Sequence, residues 1–235
     1  MRVLLFGATG MIGQGVLREC LADSGVSAVV AVGRRPSGRR HEKLRDVVVS
    51  DLANLTAVEG SLTGFNACFL CMGVTSVGLT EEHYTAATYD LTLAIARTVV
   101  RLNPGIALVY VSGQGADSSE RGRSMWARVK GRTENALLSL SARSCMFRPG
   151  LIIPLHGIRS RTGWYNAVYT AMRPLNSLLL RFFPGSVTTT ELVGRAMVAA
   201  TRSGNERGVF ETADINRLAR SAGRGQGSST SVPAG

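Results

Sequence analysis

The sequence predicts an α/β fold, a doubly wound parallel sheet with a small lid region near the C-terminal end. Three observations predict it. Short apolar runs alternate with stretches of helical periodicity through the first 150 residues. Several of those runs are apolar throughout, such as Ala107-Leu108-Val109-Tyr110-Val111, the pattern of strands covered on both faces. The first run, Val3-Leu4-Leu5-Phe6, leads straight into a turn built on Gly7, Gly10 and Gly13. A length of 235 residues and a hydrophobic content of 45% suit one domain with a full core.

The elements follow in order. Strands are expected over 2–6, 27–32, 46–50, 66–71, 106–112 and 144–148. Helices are expected over 11–23, 54–60, 81–102, 125–141 and 189–203. Right-handed crossovers between such strands produce a sheet wound in both directions from its middle. The alternation breaks after Pro149-Gly150. Residues 151–187 hold an arginine- and glycine-rich loop, then a helical stretch with Trp164, Tyr165 and Tyr169, interrupted by Pro174. This segment would cover a crevice in the sheet, or offer a surface to a protein partner or a second copy of the chain. The expected domain runs over 1–215. Residues 216–235 are expected to be a disordered tail, since from Ser221 the chain is mostly Gly, Ser, Ala and Arg.

Composition narrows the function classes. The net charge of +11 is scattered, apart from Arg34-Arg35 with Arg39-Arg40 and three arginines in the last twenty residues. No nucleic-acid-binding motif accompanies it, so no specific nucleic-acid partner is expected. No apolar stretch is long enough to cross a bilayer. Met1-Arg2 runs directly into the first strand, and only four cysteines are present, which together point to a cytoplasmic location. Cys68 and Cys71 form a C-x-x-C inside an apolar run. Positions three apart on a strand face opposite ways, so core thiols are expected there rather than a metal or redox pair.

The glycine turn carries the first chemistry. Gly7 suits a tight turn, Gly10 a close approach to a diphosphate, and Gly13 a close helix–strand contact. The helix that follows aims its unpaired N–H groups at the turn, so Thr9, Met11 and Ile12 join the expected diphosphate site. The second strand ends in Gly33-Arg34-Arg35, without the carboxylate that a ribose 2′-OH would need. Arginine forks there favour a 2′-phosphate, hence NADP(H) over NAD(H), with Arg34 the first ligand and Arg35 the second. Asp51 and Leu52, after the third strand, suit an adenine amino group and ring; Asp51 would equally cap a helix starting near Asn54.

With these pieces placed, the chain resembles the short-chain dehydrogenase/reductase superfamily. Within it, the chain is similar to the NAD(P)-dependent epimerase/dehydratase branch near the HIV Tat-interacting-protein-like reductases. The resemblance rests on Gly7–Gly13, Cys71-Met72-Gly73, Val111-Ser112-Gly113, Lys130-Gly131 and Arg148-Pro149-Gly150. It implies a Rossmann-type fold, Gly73 beside the adenine ribose, and Pro149 at the nicotinamide end. It also implies a catalytic serine, Ser112, and a lysine, Lys130, that binds the nicotinamide ribose. The superfamily tyrosine four residues before the lysine is missing, since that position is Trp126. An indole donates a hydrogen bond but does not ionise usefully, so it cannot be the general acid. Trp126 would instead donate to, or stack on, nicotinamide or substrate, or simply pack on its helix. His156, after the Arg148-Pro149-Gly150 segment, is a candidate replacement, as are Tyr165 and Tyr169, while Arg159 and Arg161 would bind an anionic substrate. Competing local roles are an i,i+4 pair of Lys130 with Glu134 and a strand-end bond from Ser112. The function implied is an oxidoreductase or epimerase using NADP(H) on a small carbonyl or sugar-like substrate. The alternative is an NADP(H)-sensing regulator or scaffold that has lost catalysis with its tyrosine.

Overall fold

The computed structural model describes residues 1–158, 182–183, 185–202 and 208–226. Seven parallel strands form one sheet in the order β3-β2-β1-β4-β5-β6-β9. They are β1 (Arg2–Phe6), β2 (Ala28–Gly33), β3 (Leu44–Val48), β4 (Ala67–Leu70), β5 (Ala107–Val111), β6 (Ser144–Arg148) and β9 (Gly208–Glu211). Leu5 lies in register with Ala31 of β2 on one side and Phe69 of β4 on the other. The helices are α1 (Met11–Ala22), α2 (Glu81–Thr85), α3 (Leu91–Leu102), α4 (Met125–Leu140), α5 (Thr190–Arg202) and α6 (Thr212–Gln226).

Strand residues alternate between two separate cores, as a period of two requires. Val3, Leu5, Ala31, Phe69, Val109 and Phe147 face α1, α5 and α6. Leu4, Phe6, Val32, Leu70, Leu108 and Met146 face α3 and α4. Cys68 and Cys71 fall on opposite faces as expected, and all four cysteines are buried thiols. The sheet is therefore a Rossmann-type layer with helices on both sides. From β1 the chain winds outward through β2 and β3, then crosses back to β4 and continues the other way. A crevice opens where the winding reverses, at the carboxyl ends of β1 and β4.

Three parts of the chain before α5 differ from expectation. The helix expected over 54–60 is a 3₁₀ segment, Thr56–Ser61, too short and too glycine-interrupted to propagate as an α-helix. The helix over 81–102 is broken by a π-turn, Ala86–Asp90, between α2 and α3. The ends of the late segment form a second, two-stranded parallel sheet, β7 (Leu151–Ile153) with β8 (Val187–Thr189). The Trp164, Tyr165 and Tyr169 stretch, Pro174, Arg159 and Arg161 lie outside the described residues.

The tail boundary at 216 is the clearest correction. β9 extends the main sheet beside β6, and α6 runs on to Gln226. Ile215, Asn216 and Ala219 are buried against the sheet. Burying Ile215 alone contributes about 1.5–3 kcal/mol. The Thr188 hydroxyl donates to Asn216 Oδ1 at 2.7 Å, and Asn216 Nδ2 donates to the Val187 carbonyl at 2.9 Å. Ile215, Leu218 and Ala219 hold the helical spacing of a buried face, hidden in a glycine- and arginine-rich composition.

Candidate functional site

The glycine turn between β1 and α1 shapes one end of a cleft of about 740 Å³. Gly7 has φ +85°, and a Cβ there would lie 2.7 Å from the Cys71 carbonyl carbon. Only glycine lets β1 and the β4 loop pass so closely. A Cβ at Gly13 would meet the Gly7 carbonyl oxygen at 2.0 Å, so Gly13 sets how close α1 lies to the turn. At Gly10 the nearest protein atom would be 3.4 Å away. Its bareness is not needed by the fold and instead widens the cleft, which Gly7, Thr9 and Gly10 line. Helix α1 begins after Gly10 with no side-chain cap and no acidic residue in its first turn, where Met11, Ile12 and Gly13 stand. The positive helix end is thus left for an anion from outside the chain.

The same cleft is lined by Arg34, Arg35, Asp51, Leu52 and Gly73. Both arginines are exposed, and neither has an ion-pair partner among the described residues. Asp51 lines the cleft but does not cap the 3₁₀ segment. Its Oδ1 accepts from the Ala53 N–H at 2.8 Å, and Asn54 Oδ1 likewise accepts from the Thr56 N–H at 3.2 Å, each tying the loop two residues on. The sequence reading missed Ser37, Val74, Ala87 and Leu91 in the cleft wall. Ser37 is held by Asp46 of β3, which accepts from its N–H at 3.1 Å and its hydroxyl at 3.0 Å. Ala87 faces the cleft from the π-turn, whose extra residue has no signature in the apolar spacing.

Beyond the cleft, at the carboxyl end of the neighbouring strand β5, stand the residues implied by the family resemblance. Ser112 is buried, and its Oγ has no hydrogen-bond partner among the described residues. The expected strand-end bond is therefore not made by its side chain. The Ser112 N–H donates to the Phe147 carbonyl at 2.7 Å, and Gln114 N–H donates to the Pro149 carbonyl at 3.0 Å. These bonds bring Pro149 beside the serine, outside the lining of the cleft.

Lys130 comes to the same place from α4. Its Nζ donates to the Ser112 carbonyl at 3.2 Å and to the Tyr110 hydroxyl at 3.4 Å. The competing pair with Glu134 is not made. Glu134 is fully buried and is gripped by Arg148, whose Nε donates to Oε1 at 3.0 Å and Oε2 at 3.1 Å. Arg148 also donates to the Ser118 hydroxyl at 2.6 Å and pairs with Glu211 at 3.4 Å. Burial pulls the Lys130 amine down to about 8, against an opposing pull from the Glu134 charge. The Tyr110 hydroxyl is pushed up by burial, so it stays neutral.

Trp126 is half-buried, one turn before Lys130, and belongs to neither apolar core. Its ring lies against Gly115, where a Cβ would be 3.4 Å from the indole. His156 does not sit in the cleft. Its Nε2 donates to Glu191 Oε2 at 2.7 Å, beside the Arg195–Glu191 pair. Burial tends to raise the Glu191 carboxyl, but the His156 bond and the Arg195 charge outweigh it and hold it low. This hydrogen bond gives His156 a structural role away from the cleft.

Comparison with known proteins agrees with the geometry. The sequence pattern of the NAD dependent epimerase/dehydratase family matches residues 3–119. Protein fmp52, mitochondrial, of Emericella nidulans is 29% identical over 158 residues, covering 64% of this chain and 66% of that one. Protein HTATIP2 of Rattus norvegicus is 27% identical, covering 64% of this chain and 62% of that one. The match thus spans somewhat under two thirds of these relatives' lengths. Among solved structures, MoeE5 in complex with UDP-glucose and NAD superposes with a TM-score of 0.63 at 22% identity, covering 97% of this chain and 82% of that one. The fungal relatives are mitochondrial proteins, which overturns the expectation of a cytoplasmic location. Four thiols sealed in the core escape oxidation in any compartment, so a low cysteine count carried no address. Over residues 3–119, where the glycine turn and its cleft lie, this chain belongs to the NAD dependent epimerase/dehydratase family.

Proposed function

We propose that the chain is an NADP(H)-dependent oxidoreductase or epimerase acting on a small carbonyl or sugar-like substrate. One observation carries the reading: a single cleft joins the bare helix end at Gly7 and Gly10 to Arg34 and Arg35. Its two ends suit a diphosphate and a 2′-phosphate. The residues fit the cofactor. Gly7, Thr9, Gly10 and the first amides of α1 would hold the diphosphate. Arg34, with Arg35 and Ser37, would hold the 2′-phosphate. Asp51 and Leu52 would meet the adenine, and Gly73 its ribose. When bound, the cofactor supplies hydride at its nicotinamide carbon. Ser112 would orient the substrate oxygen, since its buried hydroxyl lacks a partner among the described residues.

The test is a fluorescence titration of wild type and Arg34→Ala with NADPH and NADH. A charge-assisted bond to phosphate is worth about 1.5–3 kcal/mol. Arg34→Ala should therefore weaken NADPH binding by about 10- to 150-fold and leave NADH nearly unchanged. An unaltered preference would remove the assignment of Arg34. A second reading, an NADP(H) sensor without turnover, is favoured by Trp126 standing where an ionisable group is expected. It calls for cofactor binding with no NADPH oxidation on a broad carbonyl panel.

A further inference from the structure

The missing tyrosine leaves the proposed reaction without a proton donor, and the surroundings of Lys130 suggest where one stands. An ammonium has three N–H donors. Two are taken by the chain itself, at the Ser112 carbonyl and the Tyr110 hydroxyl. Its i,i+4 neighbour Glu134, which would otherwise occupy the third, is turned away and bound by Arg148. The third N–H has no partner among the described residues, and the amine is held on the backbone carbonyl of Ser112, the residue whose own hydroxyl is unpartnered there.

We infer that Lys130 itself delivers the proton to the substrate oxygen that Ser112 orients, with Tyr110 as the positioning residue that holds the amine. This rests on the oxidoreductase reading. In the direction of reduction, hydride from NADPH forms the new C–H bond and the C=O π pair moves onto oxygen. That oxygen takes the third proton of Nζ. NADP⁺ and an alcohol result, and Lys130 is left a neutral amine. Its lone pair then accepts from the Tyr110 hydroxyl, which can turn from acceptor to donor, until solvent returns the proton.

The charged and titratable groups around the amine are consistent with this. Glu134 on its own helix favours the ammonium, and Arg148 of β6 neutralises that carboxylate. Tyr110 of β5, with Tyr84 of α2 near it, stays protonated. Glu81 of α2 is occupied by Arg128, and Arg132 lies over the Tyr89 ring of the π-turn. A midpoint of about 8 keeps the amine charged at neutral pH yet able to release its proton.

The chain's only lysines are Lys43 and Lys130, so a lysine-labelled sample shows two side-chain resonances, assigned by Lys43→Arg. The Lys130 resonance should titrate near 8, and Tyr110→Phe should move that midpoint without changing NADPH affinity. For wild type, kcat/KM for carbonyl reduction should fall tenfold per pH unit above the same midpoint. Lys130→Arg, which keeps the cation but not a releasable proton, should hold NADPH within threefold and lose at least 100-fold in kcat, the usual worth of a general acid. No inflection of Lys130 below pH 9.5, or Lys130→Arg turning over within threefold of wild type, overturns the proposal alone. A wild type that binds NADPH but reduces no carbonyl removes the oxidoreductase reading, and the proposal falls with it.

Discussion

Glu134 and Arg148 show how one buried residue organises its neighbours. The carboxylate is wholly buried and holds Arg148, which in turn ties the end of β6 to Ser118 and Glu211. Removing one partner of such a pair strands the other charge and costs about 3–5 kcal/mol. Glu134→Ala should lose close to 3 kcal/mol in urea unfolding, since Arg148 keeps Glu211; a loss under 1 kcal/mol would contradict this. The lost negative charge should also move the Lys130 midpoint below about 8. Lys130 has its own linkage. Its amine is depressed in the folded state, so below about 8 both folded and unfolded chains carry the proton and the burial cost is felt in full. Between there and the ordinary lysine value of 10.5 the unfolded chain binds more protons, and stability rises with pH. Lys130→Met has no such term. Its stability advantage over wild type should shrink as pH is raised from 7.5 to 10, and a constant gap in paired urea curves would refute that.

The turn into α1 separates fold from function among three glycines. A methyl at Gly13 would overlap the Gly7 carbonyl, so Gly13→Ala must push helix from turn, at about 1–3 kcal/mol or more. A methyl at Gly10 meets only ordinary neighbours inside the protein. Gly10→Ala should keep the melting temperature within about 2 °C yet weaken NADPH at least tenfold by filling the diphosphate's place; intact binding would relocate that place. This division was legible in the sequence, because a glycine turn between strand and helix has a spacing that few other structures share. Arg34, Arg35, Asp51 and Leu52 were legible as cleft residues because each stands at the end of a strand-like run, and Gly73 through the family resemblance. The π-turn was not. It changes helical phase by one residue, and Ala87 and Tyr89 carry no mark of it. Ser37 was also hidden, because its place depends on Asp46 across the chain.

At the scale of the molecule, β1, β2, β4, β5 and β6 could be read from apolar runs because both faces of the sheet are covered there, whereas the edge strand β3 buries none of its residues and lies at Leu44–Val48 rather than over 46–50. What escaped notice came late in the chain. β9 alternates exposed and half-buried residues, and α6 buries only a narrow stripe beneath a composition typical of tails. A chain ended at residue 215 would lose Asn216 and Ala219, and with them the tie between α6 and β8. It should unfold at a lower urea concentration than the full chain, and an unchanged midpoint would mean that α6 adds nothing. Covering β6 from that side, α6 helps keep the β5–β6 edge, and hence Ser112 and Pro149, in place beside the crevice. The central claim is that this crevice, at the reversal of the winding, binds a pyridine dinucleotide. Calorimetric titration of the full chain with NADPH tests it most directly. One saturable site per chain, tighter for NADPH than for NADH, is the predicted result; no heat from either nucleotide at millimolar concentration, with the protein folded, would contradict it.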